Sequence, residues 1–559
     1  MSTWTTPSAL DPKTQAFPHL TQAQVDRLLP AGKIRTVTPG EILFEPNDVS
    51  VPFFVVLSGG MEIVQPDRDR ERPVTTHGPL QFTGEMTMIS GQRSLVRGRV
   101  TTEGEFLEIN PEGLRFIVSS DPELSEIFLR AFILRRIALI NAGFGNVVLL
   151  GSRHSADTLR LREFLGRNNH PYTYVDLDND KTAQQMLDQF AVTVDDIPVV
   201  ICNGRHPMRN PSTHQLAECL GLNASIDTTQ VRDVVIVGAG PSGLAAAVYA
   251  ASEGLDALVI ETESPGGQAG SSSKIENYLG FPMGVSGHEL ASRAMTQALK
   301  FGAKMMIART VKELRCGTRP YGVVLDNGDV VEARSVIIST GAQYNKPPLA
   351  NLKKFEGQGV YYGATFIEAQ LCSDDEVIVV GGGNSAGQAA VYLSQSARKV
   401  FMLVRGPDLS DTMSRYLIQR ITENPRIEMH CKTEITALDG DKELERVTWI
   451  DRAKGESSSH DIRHVFIMAG ASPRTEWLRG CVALDDKGFI LTGRDLDTVT
   501  GIVPPSTWPL DRRPQMLETS LPAVFAVGDV RAASVKRVAS AVGEGAIAVS
   551  LVHRALAEM

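Results

Sequence analysis

Cysteine is scarce in this chain. Six occur in 559 residues, at Cys202, Cys219, Cys316, Cys372, Cys431 and Cys481, and none forms a C-x-x-C. That spacing argues against zinc sites and against a disulfide framework, and it suits a reducing cytoplasm. Long apolar runs are missing as well: no stretch approaches the roughly 20 apolar residues of a membrane span. Met1-Ser2-Thr3-Trp4-Thr5-Thr6 has no basic segment followed by an apolar one, so no secretory leader is read there. Positive charge is in deficit, with a formal net charge of -9. A nucleic-acid partner held on a broad basic surface is thereby disfavoured. The expectation is a cytoplasmic protein with no membrane, nucleic-acid or metal partner, long enough for three or four domains.

What is present is organised around residues 234–243. Val234-Val235-Ile236-Val237 predicts a buried parallel strand, and residues 244–251 predict the helix after it. Between them stands Gly238-Ala239-Gly240-Pro241-Ser242-Gly243. In a dinucleotide fingerprint the first glycine permits the tight turn and the second lets backbone approach a pyrophosphate. The third lets helix pack on strand. A second strand, Ala257-Leu258-Val259-Ile260, ends at Glu261, about 20 residues on, where an acid accepts ribose hydroxyls.

Residues 34–109 read as short strands separated by turns. Glu41-Ile42-Leu43-Phe44-Glu45-Pro46-Asn47-Asp48 and Phe53-Phe54-Val55-Val56-Leu57-Ser58-Gly59-Gly60 resemble the β-roll of cyclic-nucleotide-binding domains. Phe82-Thr83-Gly84-Glu85-Met86-Thr87, followed by Arg93-Ser94, is similar to that family's phosphate-binding cassette. The resemblance implies a nucleotide pocket at Gly84, Glu85, Arg93 and Ser94, with the guanidinium as phosphate clamp. The turn from Glu85 to Arg93 is about a residue shorter than in well-known members, so an empty, structural roll stays open beside a cyclic-nucleotide site. Residues 124–140 predict an apolar helix interrupted by Arg130, Arg135 and Arg136. It serves either as a dimer seam, as in the catabolite-activator family, or as a helix docked on its own roll. A strand follows it rather than a helix-turn-helix.

The order strand 146–150, helix 158–168, strand 172–177, helix 181–190 and strand 197–201 resembles the glutaredoxin branch of the thioredoxin fold. A turn at Asn203-Gly204 and a helix at 213–220 complete it, and Pro198 stands where that family carries a cis-proline. Its active-site turn reads Gly151-Ser152-Arg153-His154-Ser155-Ala156-Asp157, without cysteine. Serine cannot stand in for a thiolate nucleophile, so dithiol chemistry is excluded from that turn. Cys202 and Cys219 read as packing residues of a strand and a helix, and His154 as a solvent-facing loop residue.

From residue 233 to the end the chain resembles the low-molecular-weight thioredoxin reductases. Pro265-Gly266-Gly267-Gln268 and Ile275-Glu276-Asn277-Tyr278 correspond to segments that line the flavin in that family. Thr340-Gly341 marks the exit to the next domain, and Gly528-Asp529 ends a strand. Lys536-Arg537-Val538-Ala539 faces the flavin pyrimidine in the family. The resemblance implies FAD held by Gly238, Gly240, Pro241, Ser242, Gly243, Glu261, Gly267, Gln268, Asn277, Thr340, Gly341, Gly528, Asp529 and Lys536 to Ala539. A second fingerprint, Gly381-Gly382-Gly383-Asn384-Ser385-Ala386-Gly387, follows Val377-Ile378-Val379-Val380. Its partner strand, 399–404, ends at Arg405 with no acid, which favours the 2′-phosphate of NADPH over NADH. Gly381, Gly383, Asn384, Ser385, Ala386 and Arg405 are the implied contacts, and Arg415 joins them if its loop folds back.

One departure governs the functional expectation. The family's redox-active C-A-T-C falls on Gly363-Ala364-Thr365-Phe366, so both cysteines are replaced, and no catalytic residue is assigned. Cys372 lies a few residues on and reads as a loop or strand-edge thiol. The expected fold is multidomain α/β, with a cyclic-nucleotide-binding-like β-roll plus helix at 1–141 and a thioredoxin-like domain at 142–225. Two Rossmann-like domains follow: an FAD domain at 226–345 and 469–559, and an NAD(P)H domain at 346–468. The expected activity is NADPH-dependent flavin reduction with direct transfer to an external acceptor (a redox protein, quinone, oxygen or a disulfide), in a homodimer gated by a nucleotide at the roll. Two alternatives stand beside it. One is a nucleotide-sensing regulatory flavoprotein; the other is a thioredoxin-disulfide reductase that borrows partner cysteines or uses Cys372.

Overall fold

The computed structural model describes residues 15–67, 70–84, 87–90, 93–141, 147–153, 155–178, 196–202, 207–223, 226–272, 275, 277–356, 358–364, 366–441, 443–468, 471–498 and 508–558. His154, the expected helix at 181–190 and the turn at Asn203-Gly204 lie outside them. The chain divides into two compact units. One comprises Met1–Gly151, Asn169–Asp227 and Leu299–Ile307; the other comprises Ser152–Asn168, Thr228–Ala298 and Ala308–Met559. Among the described residues no helix is long and apolar enough to cross a membrane.

In the first unit, seven short strands form the roll as two antiparallel sheets. One runs Lys33–Val37, Gly104–Ile109, Phe53–Val56; the other runs Ile42–Phe44, Arg97–Thr102, Gly60–Asp67, Arg70–His77. The helix Pro122–Asn141 packs on this roll through aromatic rings. Phe128 lies 5.0 Å from Phe53 and 4.8 Å from Phe82 between ring centroids, and Phe132 lies 6.4 Å from Phe82. All four rings are fully buried, so the helix is docked on its own roll and that face is not available as a seam. Its arginines are accommodated locally. Arg135 donates to the Ala16 carbonyl at 2.8 Å and the Gly84 carbonyl at 2.8 Å, and its guanidinium lies 4.8 Å from the Phe82 ring centre.

A further sheet of this unit orders Met208–Arg209, Val199–Cys202, Val147–Gly151 and Thr173–Asp176. The Ile197-Pro198 peptide is cis, as the glutaredoxin-like reading expects. The cysteine reading needs correction. Cys202 and Cys219 form a disulfide across 6.4 Å between Cα atoms, and Cys316 and Cys481 form another across 5.9 Å in the second unit. A separation of 17 or 165 residues along the chain does not keep two thiols apart once a strand and a helix, or two distant loops, fold together.

The second unit holds two nucleotide-type sheets. In the first, Arg232–Val237 lies parallel between Ala257–Glu261 and Val330–Ile338, with Val524–Ala526 parallel to Val330–Ile338. In the second, Val360–Tyr361, His464–Ile467, Glu376–Val380, Lys399–Val404 and Ile427–Cys431 are all parallel. Such sheets are buried on both faces at their centre, which is why the central strands Arg232–Val237 and Glu376–Val380 hold continuous runs of Val and Ile. Two short segments, Ala342–Tyr344 and Ala471–Pro473, pair as an antiparallel ribbon that joins the two halves. Ala469 and Gly470, where the second part of the FAD domain is expected to begin, lie outside the described residues.

Candidate functional site

The strand Arg232–Val237 enters a turn at Gly238, whose φ of 104° belongs to the left-handed region. Two of the three fingerprint glycines are required by close packing. A methyl group at Gly238 would sit 2.5 Å from the Ser339 carbonyl oxygen, and one at Gly243 would sit 1.9 Å from that of Gly238. Gly240 differs: a methyl there would meet no heavy atom within 4 Å. Gly240 caps the helix Pro241–Ser252, whose first N–H groups have no intrahelical partner. An open backbone beside a positive helix end is an anion site.

Several of the other residues expected in this site lie against the same turn. Glu261 accepts the Ala239 N–H at 2.7 Å and the Glu263 N–H at 2.9 Å, and burial pushes its carboxyl up against these two bonds. Gly266 donates its N–H to the Ala239 carbonyl at 2.8 Å, and a methyl on Gly267 would lie 3.1 Å from Gly240. Gln268 donates to the Ala342 carbonyl at 3.1 Å, next to Thr340 and Gly341. A methyl at Gly528 would touch Ser242 at 2.7 Å, and the Gly528 N–H donates to Glu544 at 2.7 Å. Asp529, its carboxyl pushed up by burial, has its carbonyl bonded by Lys536 at 3.1 Å. Arg537 caps the helix Val538–Ala557, placing Val538 and Ala539 in its first turn. Asn277 is exposed.

The second turn repeats the arrangement. A methyl on Gly381 would come within 2.4 Å of the Met468 carbonyl, whereas one on Gly383 would meet nothing within 4 Å. Gly383 caps the helix Asn384–Leu393, with Asn384 to Ala386 in its first turn. Arg405 follows the strand Lys399–Val404, exposed, and among the described residues it forms no ion pair. The loop after it does fold back: Asn384 accepts the Ser414 N–H at 2.9 Å, and Thr412 donates to the Gly382 carbonyl at 2.6 Å. Arg415, the next residue, is exposed at the start of the helix Arg415–Thr422. An asparagine in the fingerprint's third glycine region was the available signal for this closure.

Gly363 lies opposite Ser271 of the first site's loop, with a methyl group at Gly363 reaching the Ser271 Cβ at 3.5 Å. Phe366 begins a short helix, Phe366–Leu371. Cys372 stands in the turn between the helix Phe366–Leu371 and the strand Glu376–Val380, as expected of a loop thiol, but it is fully buried, in one apolar cluster with Ala369, Val377 and Leu393. A short helix before the strand Glu376–Val380 turns it inward.

In the roll, Arg93 and Ser94 line one cavity of about 10 Å³ with Asn47, Thr87, Arg136 and His170. That is about the room of one water molecule. The Arg93 Nε and His170 Nδ1 atoms are buried there, without hydrogen-bond partners among the described residues. Burial and the Arg136 guanidinium lower the His170 pKa to about 3. Gly84, with φ 108°, is packed against Phe132, and Glu85 lies outside the described residues. Arg136 and His170 were not legible as pocket residues, although an arginine inside an apolar helix face is a signal that something polar awaits it. Among the described residues no group of His, Cys, Asp and Glu is placed to hold a metal ion.

Comparison with known proteins agrees with this geometry. A family described as pyridine nucleotide-disulphide oxidoreductase matches residues 232–545, and one described as cyclic nucleotide-binding domain matches residues 34–121. A thioredoxin reductase of Mycolicibacterium smegmatis is 33% identical over 329 residues, 59% of this chain and 97% of that protein. One from Bacillus subtilis is 32% identical over 331 residues, 59% and 96% of the two chains. Among solved structures, Lactococcus lactis thioredoxin reductase in its FR conformation aligns with a TM-score of 0.52 at 26% identity, over 59% of this chain and all of that one. T. acidophilum thioredoxin reductase aligns with a TM-score of 0.51 at 29% identity, over 58% and 99%. The chain therefore belongs to the pyridine nucleotide-disulphide oxidoreductase family, as a thioredoxin reductase-like, NAD(P)H-dependent flavin oxidoreductase that also carries a cyclic nucleotide-binding domain.

Proposed function

We propose that the protein takes reducing equivalents from NADPH into a bound FAD and passes them directly to an external acceptor. The acceptor class is a redox protein, a quinone, oxygen or a disulfide. The observation that carries this reading is the pairing of two open glycine turns, at Gly240 and Gly383, with a Gly363-Ala364-Thr365-Phe366 segment that holds no sulfur. Nicotinamide and flavin, when bound, supply the hydride chemistry themselves and need orientation rather than a protein acid or base.

The chain's own residues then have holding and shielding roles. The Gly240 turn and the N-terminus of Pro241–Ser252 would hold the FAD pyrophosphate, and Glu261 keeps a lone pair on each oxygen for ribose hydroxyls. Gly528, Asp529 and the N-terminus of Val538–Ala557 would hold the ribityl chain and pyrimidine edge. The Gly383 turn would hold the NADPH pyrophosphate, with Arg405 and Arg415 as donors for its 2′-phosphate. The thioredoxin-like segment lacks a thiol in its turn at 151–157, which leaves it a docking or spacing role. Cys372 is fully buried, which weighs against a thiol relay through it. We assign the roll, at 1–141, a gating role for a phosphate-bearing nucleotide at Arg93 and Ser94, whose entry requires the one-water cavity there to open, in a cytoplasmic homodimer.

Anaerobic titration of the FAD-loaded protein with NADPH tests the reading. Bleaching of the flavin band near one equivalent is expected, followed by reoxidation with the true acceptor in a screen of the four classes. A flavin that stays oxidised under excess NADPH would sink the proposal.

A further inference from the structure

Helix Ala156–Arg167 belongs to the thioredoxin-like stretch, outside the residues that match the reductase family, 232–545. Its last residue nonetheless reaches the flavin-side loop. Arg167 Nη2 donates to the carbonyls of Ser264 at 3.3 Å, Pro265 at 3.4 Å and Gly267 at 3.1 Å. Nη1 pairs with Glu163 at 3.4 Å, one turn back on the same helix, and the side chain is 14% exposed. A methyl group on Gly270 would lie 3.2 Å from Nη2, so the guanidinium is seated directly on this loop.

That loop is not free to take any shape. Gly266 and Gly267 both have positive φ, 106° and 52°. Its amide side bonds the Ala239 carbonyl, and Gly267 abuts Gly240. Its carbonyl side would face outward with three unengaged oxygens. The two hydrogens of one charged Nη2 are shared among all three oxygens, while Nη1 reaches Glu163 and Nε is buried without a hydrogen-bond partner among the described residues. The charge is felt nearby as well: it opposes the burial that raises the Glu261 carboxyl and adds to the lowering of His288.

We propose that Arg167 is a positioning residue of the FAD site, contributed by the thioredoxin-like stretch, which sets the 264–267 loop against the Ala239-Gly240 turn. The inference rests on the assignment of FAD to that turn. It gives the stretch, whose turn at 151–157 lacks cysteine, a defined role, because the helix at 156–167 completes a cofactor site instead of carrying a redox centre. Two residues separate Arg167 from His170, which lines the roll cavity.

The test compares wild type, Arg167→Lys and Arg167→Gln as full chains stripped of flavin and titrated with FAD, with fluorescence quenching giving Kd and a melting scan of each apo protein giving Tm. Losing charged donors to three carbonyls weakens FAD about tenfold or more in Arg167→Gln, and about threefold to fivefold in Arg167→Lys. The NADPH KM of the reloaded enzymes stays within twofold. A merely structural arginine would lower apo Tm and leave Kd unchanged. Kd values within twofold of wild type overturn the proposal, and Arg167→Lys alone decides it should Arg167→Gln not fold. Failure of the wild type itself to bind FAD would strike the underlying cofactor assignment instead.

Discussion

Two neighbouring glycines should respond to the same substitution in opposite ways. Gly240→Ala places a methyl in open space at a φ of -68°, which any residue adopts. The apo protein should keep its stability, or gain about 0.5 kcal/mol from a stiffer unfolded chain. The methyl stands where the backbone must approach the pyrophosphate. Losing one charge-assisted N–H bond at about 1.5–3 kcal/mol predicts FAD binding weakened by about 10- to 150-fold. Gly243→Ala does the reverse. Its methyl would lie 1.9 Å from the Gly238 carbonyl and 2.6 Å from Ser339 Oγ, so helix and strand must separate by about 1 Å. Overpacking of that kind costs about 1–3 kcal/mol, a fall in Tm on the order of 5 °C for a domain of this size. Differential scanning fluorimetry of the apo proteins and flavin-quenching titrations separate the two effects. A folded Gly240→Ala variant that binds FAD as tightly as wild type would falsify the assignment of this turn to the pyrophosphate.

Two further outcomes follow from the same physics. Arg405→Ala should raise the KM for NADPH about tenfold and leave that for NADH nearly unchanged, since only the 2′-phosphate loses a charged donor; equal loss with both nucleotides would move the contact elsewhere. In the first unit His77 and His170 are buried and held neutral, each lowered from 6.5 to about 3 chiefly by burial and secondly by Arg135 and Arg136 respectively. The unfolded chain takes up a proton at each imidazole as pH falls through 6.5, while the folded chain does not until about 3, so stability falls continuously over that window. At pH 5 the loss is on the order of 2 kcal/mol per histidine. A melting scan at pH 7 and pH 5 should show it, and the double variant His77→Leu, His170→Leu should flatten the slope; an unchanged slope refutes the assignment.

How much of this was legible in the sequence depends on the range of the interaction. The strand–turn–helix units at Gly238 and Gly381 are local: apolar runs, a glycine where φ must be positive and a helix start lie within ten residues of one another. The strand at 399–404 and the helix at 213–220 were legible for the same reason, since periodicity and capping act over one or two turns. Cys202 with Cys219 and Cys316 with Cys481 were not. Counting cysteines reads their spacing along the chain, and a bond needs their spacing across it. Arg136 was visible only as an interruption in an apolar helix, because its partner, the Asn169 carbonyl, lies 33 residues away.

The case of Arg167 carries this furthest. Its three carbonyl partners lie 97 to 100 residues on, beyond the end of the stretch that resembles glutaredoxin and inside the one that resembles thioredoxin reductase. Read separately, the first stretch resembles a redox fold with no cysteine in its turn at 151–157, and the second is thioredoxin reductase-like with no cysteine at 363–366. A fold that no longer exchanges disulfides can still present a helix end, and a reductase without C-x-x-C has its flavin loop free of an internal electron acceptor. The two departures are then consistent with one another. On the proposed reading, flavin chemistry needs no sulfur at either place, and the helix at 156–167 serves the site by holding the loop at 264–267 through Arg167.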